Sequence, residues 1–264
     1  MLSINQDKCI QCGACVEDCH KGALTIEGET VIHDAEKCMW CGHCLAVCPR
    51  DCIIIDGDGY NCEEVEDLGF AKAPNKFQIR NMILGRRSVR KFTDTEVTEE
   101  ELAMIMEAAK YSPTGMNRQG NSFVIVNDEA VKELACDSIA AMRRLLTGGQ
   151  VDGLLIPGVQ DICDKYDADG IDGLYYGAPV VIFVFADTDV DGAIAATNMG
   201  WMAQAQQLGY CFARFPMQAF ADGEFAAKWK APEGKKPVIA LLIGNAEPEY
   251  FCSVPRKDPE VSVF

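Results

Sequence analysis

The fold of the N-terminal part of this chain is decided by residues 8–26, KCIQCGACVEDCHKGALTI. The stretch recurs 29 residues later, without gaps, as KCMWCGHCLAVCPRDCIII at 37–55. Each copy has the spacing C-x-x-C-x-x-C-x-x-x-C, which is typical of runs that bind cubane iron–sulfur clusters. Three thiolates on one short loop reach one cluster, and the fourth lies too far along the chain and reaches the other. The repeat therefore predicts two [4Fe–4S] clusters, held by Cys9, Cys12, Cys15, Cys19, Cys38, Cys41, Cys44 and Cys48.

Two other interpretations of these cysteines fit the pattern less well. Disulfides need an oxidising compartment, and the first residues, MLSINQDKC, show no basic start followed by an apolar run. Zinc sites use two separated C-x-x-C pairs rather than overlapping triplets. A segment of about 60 residues also buries little apolar surface, so two inorganic clusters would take the place of a core.

Residues 1–60 resemble the bacterial two-cluster ferredoxins. The second run ends in Cys48-Pro49, as the family pattern does, whereas the first has His20 in place of proline. His20 either tunes a cluster potential or is a solvated substitution. Cys52 aligns on Ala23 and is expected to be a small packed residue. The resemblance implies one cluster bound by Cys9, Cys12, Cys15 and Cys48, and another bound by Cys38, Cys41, Cys44 and Cys19.

Charge and apolar patterning narrow the functional class. The net charge of −16 over 264 residues argues against nucleic-acid binding, because few basic groups are available to neutralise phosphates. Residues 1–68 hold 14 acidic and 4 basic side chains, which serve either solubility or the docking of redox partners. The longest uncharged stretch, 192–213, predicts a buried helix rather than a membrane span. Because no targeting signal is visible, we expect a cytoplasmic protein without a membrane partner.

The rest of the chain predicts a second, larger domain. Residues 57–76 are acidic, rich in turn formers and without periodicity, so we place a ferredoxin-like domain at 1–60, a linker at 61–76 and a second domain at 77–264. Alternating helix and strand patterns there indicate an α+β fold with a sheet covered by helices. The expected helices are 77–87, 98–111, 128–146, 190–208 and 217–230, and the expected strands are 121–127, 179–186, 211–215 and 237–244.

The second domain lacks several common catalytic signatures. It contains no histidine, because His20, His33 and His43 all precede it. Ser–His and Cys–His nucleophiles and histidine metal sites are therefore excluded there. No G-x-G-x-x-G follows a strand, and no P-loop is present. A domain of this kind joined to an electron carrier is expected to accept electrons.

Three stretches suggest how it does so. GRRSVRKF (85–92) gathers four positive charges, whose arginines either fork onto a phosphate or complement the C-terminus of the preceding helix. YSPTGMNRQG (111–120) stops a helix and offers polar groups suited to a flat ring edge, although any loop also offers them. VPRK (254–257) follows the last strand, where a solvated tail is the alternative.

These stretches, with GAPVVIFVFAD (177–187) and AATNMGWMAQAQQLGYCFARF (195–215), resemble the nitroreductase family of FMN enzymes over residues 77–257. The resemblance implies a nitroreductase-like FMN-binding sheet and an obligate homodimer with FMN at the subunit interface. It also implies that residues near 211–214 lie along the ring edge. The phosphate and ribityl groups would be held by Arg86, Arg87, Ser88, Arg90 and Arg256, and the flavin of the other subunit would be reached by Pro113, Thr114, Gly115 and Asn117.

The whole chain resembles ferredoxin-fused nitroreductases. The resemblance implies an FMN-dependent oxidoreductase that passes electrons from two [4Fe–4S] clusters to FMN and on to a small electron-poor acceptor of nitroaromatic or quinone type. A low-potential donor such as a ferredoxin is expected. The alternative is an electron-transfer protein whose FMN serves only a protein partner, and flavin dismantling or reductive dehalogenation also stays open. No catalytic side chain is singled out, residues 147–176 match no known pattern, and Tyr175 and Tyr176 are pocket candidates there.

Overall fold

The computed structural model describes residues 1–68, 74–127, 129–151, 153 and 155–264. Residues 69–73 of the predicted linker, Asp128 at the predicted start of a helix, and Asp152 and Leu154 lie outside this description. Two compact units are present. The first comprises Met1–Ala73 with Gly115–Arg118, and the second comprises Pro74–Thr114 with Gln119–Phe264.

Two short antiparallel ribbons frame the first unit. In one, β1 (Leu2–Ile4) pairs with β4 (Ile53–Ile55), and in the other, β2 (Leu24–Glu27) pairs with β3 (Thr30–His33). Each ribbon is too small to be stable alone in water. The buried apolar side chains of this unit form a small set drawn from the ribbons and their flanks, namely Ala23, Leu24, Val31, Cys52, Ile53 and Ile55.

A single-turn helix follows the second cysteine of each run. These helices are α1 (Ala14–Glu17) and α2 (His43–Ala46). The glycines that precede them, Gly13 and Gly42, have φ angles of 81° and 76°. Residues with a side chain rarely adopt this left-handed conformation, so glycine allows the chain to turn between the second and third cysteines of each run.

The second unit contains a four-stranded antiparallel sheet of order β5-β6-β8-β7. Its strands are β5 (Ser122–Asn127), β6 (Val180–Ala186), β7 (Gly209–Ala213) and β8 (Lys236–Gly244). Every residue of the inner strand β6 is buried, as its continuous apolar run predicts. The four predicted strands are present, with ends that lie within two residues of the predicted ones.

Helices cover both faces of this sheet. On one face, Ile182 of β6 packs in a cluster with residues of α4 (Glu99–Lys110) and α7 (Asp189–Ala205). On the other face, its neighbour Phe183 packs with residues of α5 (Glu129–Thr147). Because successive side chains of a strand point to opposite faces, β6 supplies both clusters.

The helix predicted at 217–230 is two separate segments. A 3-10 helix spans Phe215–Ala221 and an α-helix, α8, spans Gly223–Lys228. Asp222 between them has an extended backbone, and its side chain accepts a hydrogen bond from the Phe225 amide at 2.9 Å. An aspartate in this position ends one helix and caps the next, which periodicity alone does not reveal.

Other helices also depart from the prediction, and α7 ends at Ala205, three residues before the predicted end. α3 (Lys76–Gly85) begins one residue earlier than expected, behind an Asn75–Gln78 capping box. α6 (Ile156–Asp169) lies in the stretch for which no pattern was recognised. It begins after Leu155, which provides no capping side chain, so the usual start signal is missing.

Within the described ranges, none of the helices combines the length and the apolarity that a membrane crossing requires.

Candidate functional site

Two cavities of the first unit are each lined by four of the predicted cluster ligands. One is lined by Cys9, Cys12, Cys15 and Cys48, and we call it the first cavity. The other is lined by Cys19, Cys38, Cys41 and Cys44, and we call it the second cavity. In both, three cysteines come from one run and the fourth from the other run, as the cubane pattern requires.

The chemistry of these donors fits iron–sulfur clusters. All eight cysteines are free thiols. Among the described residues, no group of three His, Cys, Asp or Glu side chains is arranged to hold a single metal ion. Four sulfurs spread around a cavity suit a cluster, which is wider than one ion, better than zinc. The assignment of each ligand stays a prediction.

Burial affects the thiols that line the cavities. It raises the pKa of the Cys44 thiol to about 11, and it also raises the pKa of Cys15. A coordinating thiol is deprotonated by the metal, so cluster binding would release protons here and would be favoured by higher pH.

Cys52 also lines the first cavity, although it is outside the ligand pattern. It is buried, as expected, and its Sγ lies 3.3 Å from the Sγ of Cys48. Its counterpart in the second cavity is Ala23, at the same position in the repeat. We therefore retain Cys52 as a packed residue and Cys48 as the predicted ligand.

Hydrogen bonds hold the start of the SPTGMN loop in place. The Ser112 hydroxyl donates to the Ala108 carbonyl oxygen at 2.8 Å and accepts from the Asn198 side-chain amide at 2.9 Å. Thr114 Oγ1 accepts a hydrogen bond from the backbone amide of Gln119 at 2.9 Å. These bonds position both ends of the loop, where Pro113 is exposed.

The tip of this loop, Gly115–Arg118, belongs to the first unit. Met116 and Asn117 have positive φ angles of 56° and 53°, which are strained for residues with a side chain. The Asn117 side-chain amide donates to the backbone carbonyl oxygens of Trp40 at 2.9 Å and Met39 at 3.3 Å. Asn117 therefore holds the backbone that lies between Cys38 and Cys41, and its predicted role toward the flavin remains a prediction.

The basic segment of the second unit lies against strand β7. The Val89 amide donates to the Tyr210 carbonyl oxygen at 3.0 Å, and Val89 is buried. A side chain at Gly209 would lie 2.8 Å from Val89, so glycine is needed for this close approach. The segment from Arg86 to Arg90 is thus attached to strand β7 through Val89.

Among the described residues, Arg86 and Arg90 have no acidic partner. The Arg86 guanidinium lies 6.0 Å from the centre of the Tyr210 ring, and that of Arg90 lies 5.7 Å from the Tyr176 ring. Within the described part of the chain, neither forms an ion pair with a carboxylate. Two cations that lie over aromatic rings and flank Ser88 in the sequence suit a phosphate.

In the described part of the chain, the side chains of Arg87 and Arg256, unlike those of the other predicted phosphate ligands, donate hydrogen bonds to backbone carbonyl oxygens. Arg87 donates to the carbonyl oxygens of Leu84 at 3.0 Å, Arg86 at 2.6 Å and Cys252 at 3.3 Å. Its geometry therefore matches the alternative interpretation, in which a basic residue complements the end of a helix. Arg256 is exposed and donates to the Pro255 carbonyl oxygen, and no described contact joins it to Arg86.

The two tyrosines of the unassigned stretch have different environments. Tyr175 is fully buried, its hydroxyl lies 2.7 Å from Ser138 Oγ, and burial raises its pKa. It is a core residue rather than a pocket residue. Tyr176 has a positive φ of 56° and its ring lies near the Arg90 guanidinium, so Tyr176, unlike Tyr175, lies beside the basic segment.

Known families and structures match both parts of the chain. Residues 8–52 match the model of the 4Fe-4S dicluster domain. A nitroreductase with bound FMN from Desulfitobacterium hafniense DCB-2 is 26% identical, with a TM-score of 0.54 over 70% of this chain and 97% of that chain. A nitroreductase with bound FMN from Bacteroides fragilis NCTC 9343 is 22% identical, with a TM-score of 0.59 over 72% of this chain and 100% of that chain.

A BluB-like flavoprotein from Clostridium difficile 630 is 20% identical, with a TM-score of 0.53 over 69% of this chain and 94% of that chain. The likenesses below 25% identity show the fold alone, and they confirm the predicted α+β class. No curated protein matches the chain. The model of the nitroreductase family matches residues 83–245, which is more than half of the sequence. The predicted resemblance is therefore confirmed, and the chain belongs to the nitroreductase family and carries an N-terminal 4Fe-4S domain.

Proposed function

We propose that this protein takes electrons through two [4Fe–4S] clusters, passes them to FMN and reduces a small electron-poor organic acceptor of nitroaromatic or quinone type. Membership of the nitroreductase family makes it an FMN-dependent oxidoreductase. The observation that carries the proposal is the presence, in the same chain, of two cavities that are each lined by four cysteines of the cluster pattern. A nitroreductase that takes hydride directly from a nicotinamide has no need of such cavities.

The clusters and the flavin would be held by residues already described. The two sets of four cysteines would bind the clusters. Arg86, Ser88 and Arg90 would hold the phosphate of FMN, and Pro113, Thr114, Gly115 and Asn117 would reach the flavin. FMN, when bound, would supply the conversion of single electrons into the two-electron reduction of an organic molecule.

A homodimer is part of the same proposal. None of the residues of α3 is buried, although Phe77, Ile83 and Leu84 are apolar. Phe77 is 64% exposed, and Phe251 in the C-terminal segment is 89% exposed. Exposed apolar surface of this extent is typical of a protein interface. Light scattering after gel filtration is expected to give twice the chain mass of 28.9 kDa.

The donor is proposed to be a low-potential carrier such as a ferredoxin. The acidic surface of residues 1–68 supports docking of a redox protein with a basic face. Iron–sulfur clusters reach potentials low enough to drive flavin reduction. NADH and NADPH are expected to be poor donors, because the clusters are the working entrance for electrons.

Stopped-flow absorbance under argon tests the proposal in the full chain. A reduced ferredoxin or a low-potential chemical donor should bleach the flavin quickly, and NADPH slowly. Cys44→Ser should lose the donor-driven reduction, and Cys52→Ser, the matched control, should keep it. The reduced protein is then mixed with a nitroaromatic and with a quinone, and rapid reoxidation of the flavin is expected.

Two results would contradict it. If NADPH bleaches the flavin rapidly and Cys44→Ser turns over like the native protein, the clusters are dispensable. If neither a nitroaromatic nor a quinone reoxidises the flavin while an oxidised protein carrier does, the protein is a carrier that serves a protein partner.

A further inference from the structure

The two cavities differ in their histidines. The chain has three histidines, His20, His33 and His43, and all of them line the second cavity. None of the described residues that line the first cavity is a histidine. This difference is not shared by the two copies of the repeat. At the 29-residue offset that aligns the cysteine runs, His33 aligns on Ile4.

His33 differs from the other two histidines. His20 is exposed. The His43 side chain is 63% exposed, and its Nδ1 lies 3.3 Å from a carboxylate oxygen of Asp18. His33 ends strand β3, and its Nε2 atom is buried without a hydrogen-bond partner among the described residues. Its ring meets the Trp40 ring edge-on, with 6.0 Å between their centres.

A buried ring nitrogen without a partner is unfavourable, and native structures almost always satisfy such groups. His33 and the four cysteines of the second cavity line the same space. The sulfurs of a cluster held by those cysteines would be acceptors for a proton on Nε2. The missing partner of His33 is thus accounted for by the group that the cysteines themselves predict.

We propose that His33 donates a hydrogen bond from Nε2 to the cluster in the second cavity, and that this bond gives that cluster the higher reduction potential of the two. The inference rests on the proposed function, because it needs both clusters. Hydrogen bonds to the sulfurs stabilise the more negative, reduced cluster and so raise its potential. Ile4, the counterpart of His33, has no donor, so at equilibrium an electron would favour the second cavity over the first.

The test is a redox titration of the full chain, followed by the paramagnetic resonance signals of the reduced clusters, with iron and FMN measured in the same samples. In His33→Phe, which keeps an aromatic ring against Trp40, the equilibrium constant for reduction of the higher-potential cluster should fall about tenfold. For a one-electron couple this is about 59 mV. The gap between the two midpoints should shrink, and the lower midpoint should not move.

Two further variants separate a hydrogen bond from simple packing. His33→Gln keeps an N–H donor and should restore part of the shift. His43→Asn changes a histidine that lines the same cavity but is largely exposed, and it should leave both midpoints in place. In the native protein labelled with ¹⁵N-histidine, a histidine nitrogen should couple to the higher-potential cluster, and this coupling should be lost in His33→Gln.

The outcomes distinguish this inference from the proposed function. If the native protein does not hold two clusters, the proposed function fails first. If both clusters are present and His33→Phe moves neither midpoint, moves both, or widens the gap, the inference is wrong. If His33→Phe does not retain iron, the test is the ¹⁵N-histidine measurement on the native protein. The absence of histidine nitrogen coupling in the native protein would overturn the inference.

Discussion

The side-chain amide nitrogen of Asn117 lies 2.9 Å from the backbone carbonyl oxygen of Trp40. Trp40 has a positive φ of 56°, and its ring stacks on Tyr60 with 6.2 Å between the centres. Its own amide donates to the Sγ of Cys38 at 3.4 Å. A residue from the SPTGMN loop thus supports the turn from which Cys38 and Cys41 enter the second cavity.

Asn117→Ala is expected to loosen the cluster in the second cavity. It removes two hydrogen bonds to the cluster-binding turn, each worth about 1 kcal/mol. Release of iron to a chelator should therefore be faster by up to about thirtyfold for half of the iron. Asn245→Ala, which removes an exposed amide that donates to the Thr95 carbonyl oxygen, is the control and should leave iron release unchanged. If Asn117→Ala lowers only the affinity for FMN, the side chain serves the flavin and not the cluster.

Protein purified without oxygen should contain about eight irons per chain, as expected for two cubane clusters. Cys44→Ser should lower the iron content, because this cysteine lines the second cavity within the ligand pattern. Cys52→Ser should keep it, because this buried residue takes the place of Ala23 in the repeat. A colorimetric iron assay and metal analysis measure the iron and zinc content per chain. About four irons, or stoichiometric zinc, would contradict the assignment of two clusters.

Arg86→Ala should weaken FMN binding by about 1.5–3 kcal/mol, which is the usual contribution of a hydrogen bond to a charged group. The Arg86 guanidinium rests on the Tyr210 ring and, among the described residues, has no carboxylate partner. Arg87→Ala is the matched control, because Arg87 donates to backbone carbonyl oxygens and should matter less for FMN. Quenching of flavin fluorescence measures both affinities. An equal loss in the two variants would show that the segment acts only through its total charge.

Asp222 should make the second unit sensitive to acid. The Arg144 guanidinium, bonded through two nitrogens at 2.7 Å each, lowers the pKa of the Asp222 carboxyl to about 2, from an ordinary value of 3.8. Because the folded-state pKa is depressed, the carboxylate stabilises the fold above about pH 4. This contribution is lost as the pH falls through about 2.

Asp222→Ala should therefore lower the free energy of unfolding by about 1 kcal/mol at pH 7, because it removes both the charged pair with Arg144 and the cap on α8. The difference from the native protein should shrink between pH 4 and pH 2. Urea unfolding followed by tryptophan fluorescence at several pH values measures it, since Trp229 ends the helix that Asp222 caps. Asp161→Asn, in an exposed pair with Lys165, is the control and should change stability by less than about 0.5 kcal/mol. A constant difference at all pH values would contradict the role assigned to the charge.

Local patterns predicted much of the second unit. The capping box of α4, with a hydrogen bond between Thr98 and Glu101, is present, because it joins residues only three positions apart. The apolar run of β6 is buried because every one of its side chains is suited to a core. In contrast, α6 has neither a capping side chain nor a recognised pattern at its start, and it was missed.

The sequence by itself determined the spacing of the cysteines and hence the kind of cluster, because a run of eleven residues controls which thiolates share one loop. Only the tertiary structure decided what surrounds them. The β2–β3 ribbon brings His33 to the second cavity, and the fold brings Asn117 to Trp40, although these two residues are 77 positions apart. The structure also gave Arg87 and Arg86 different partners, and it buried Tyr175 but not Tyr176. Such contacts depend on how distant segments pack, and no pattern of neighbouring residues specifies them.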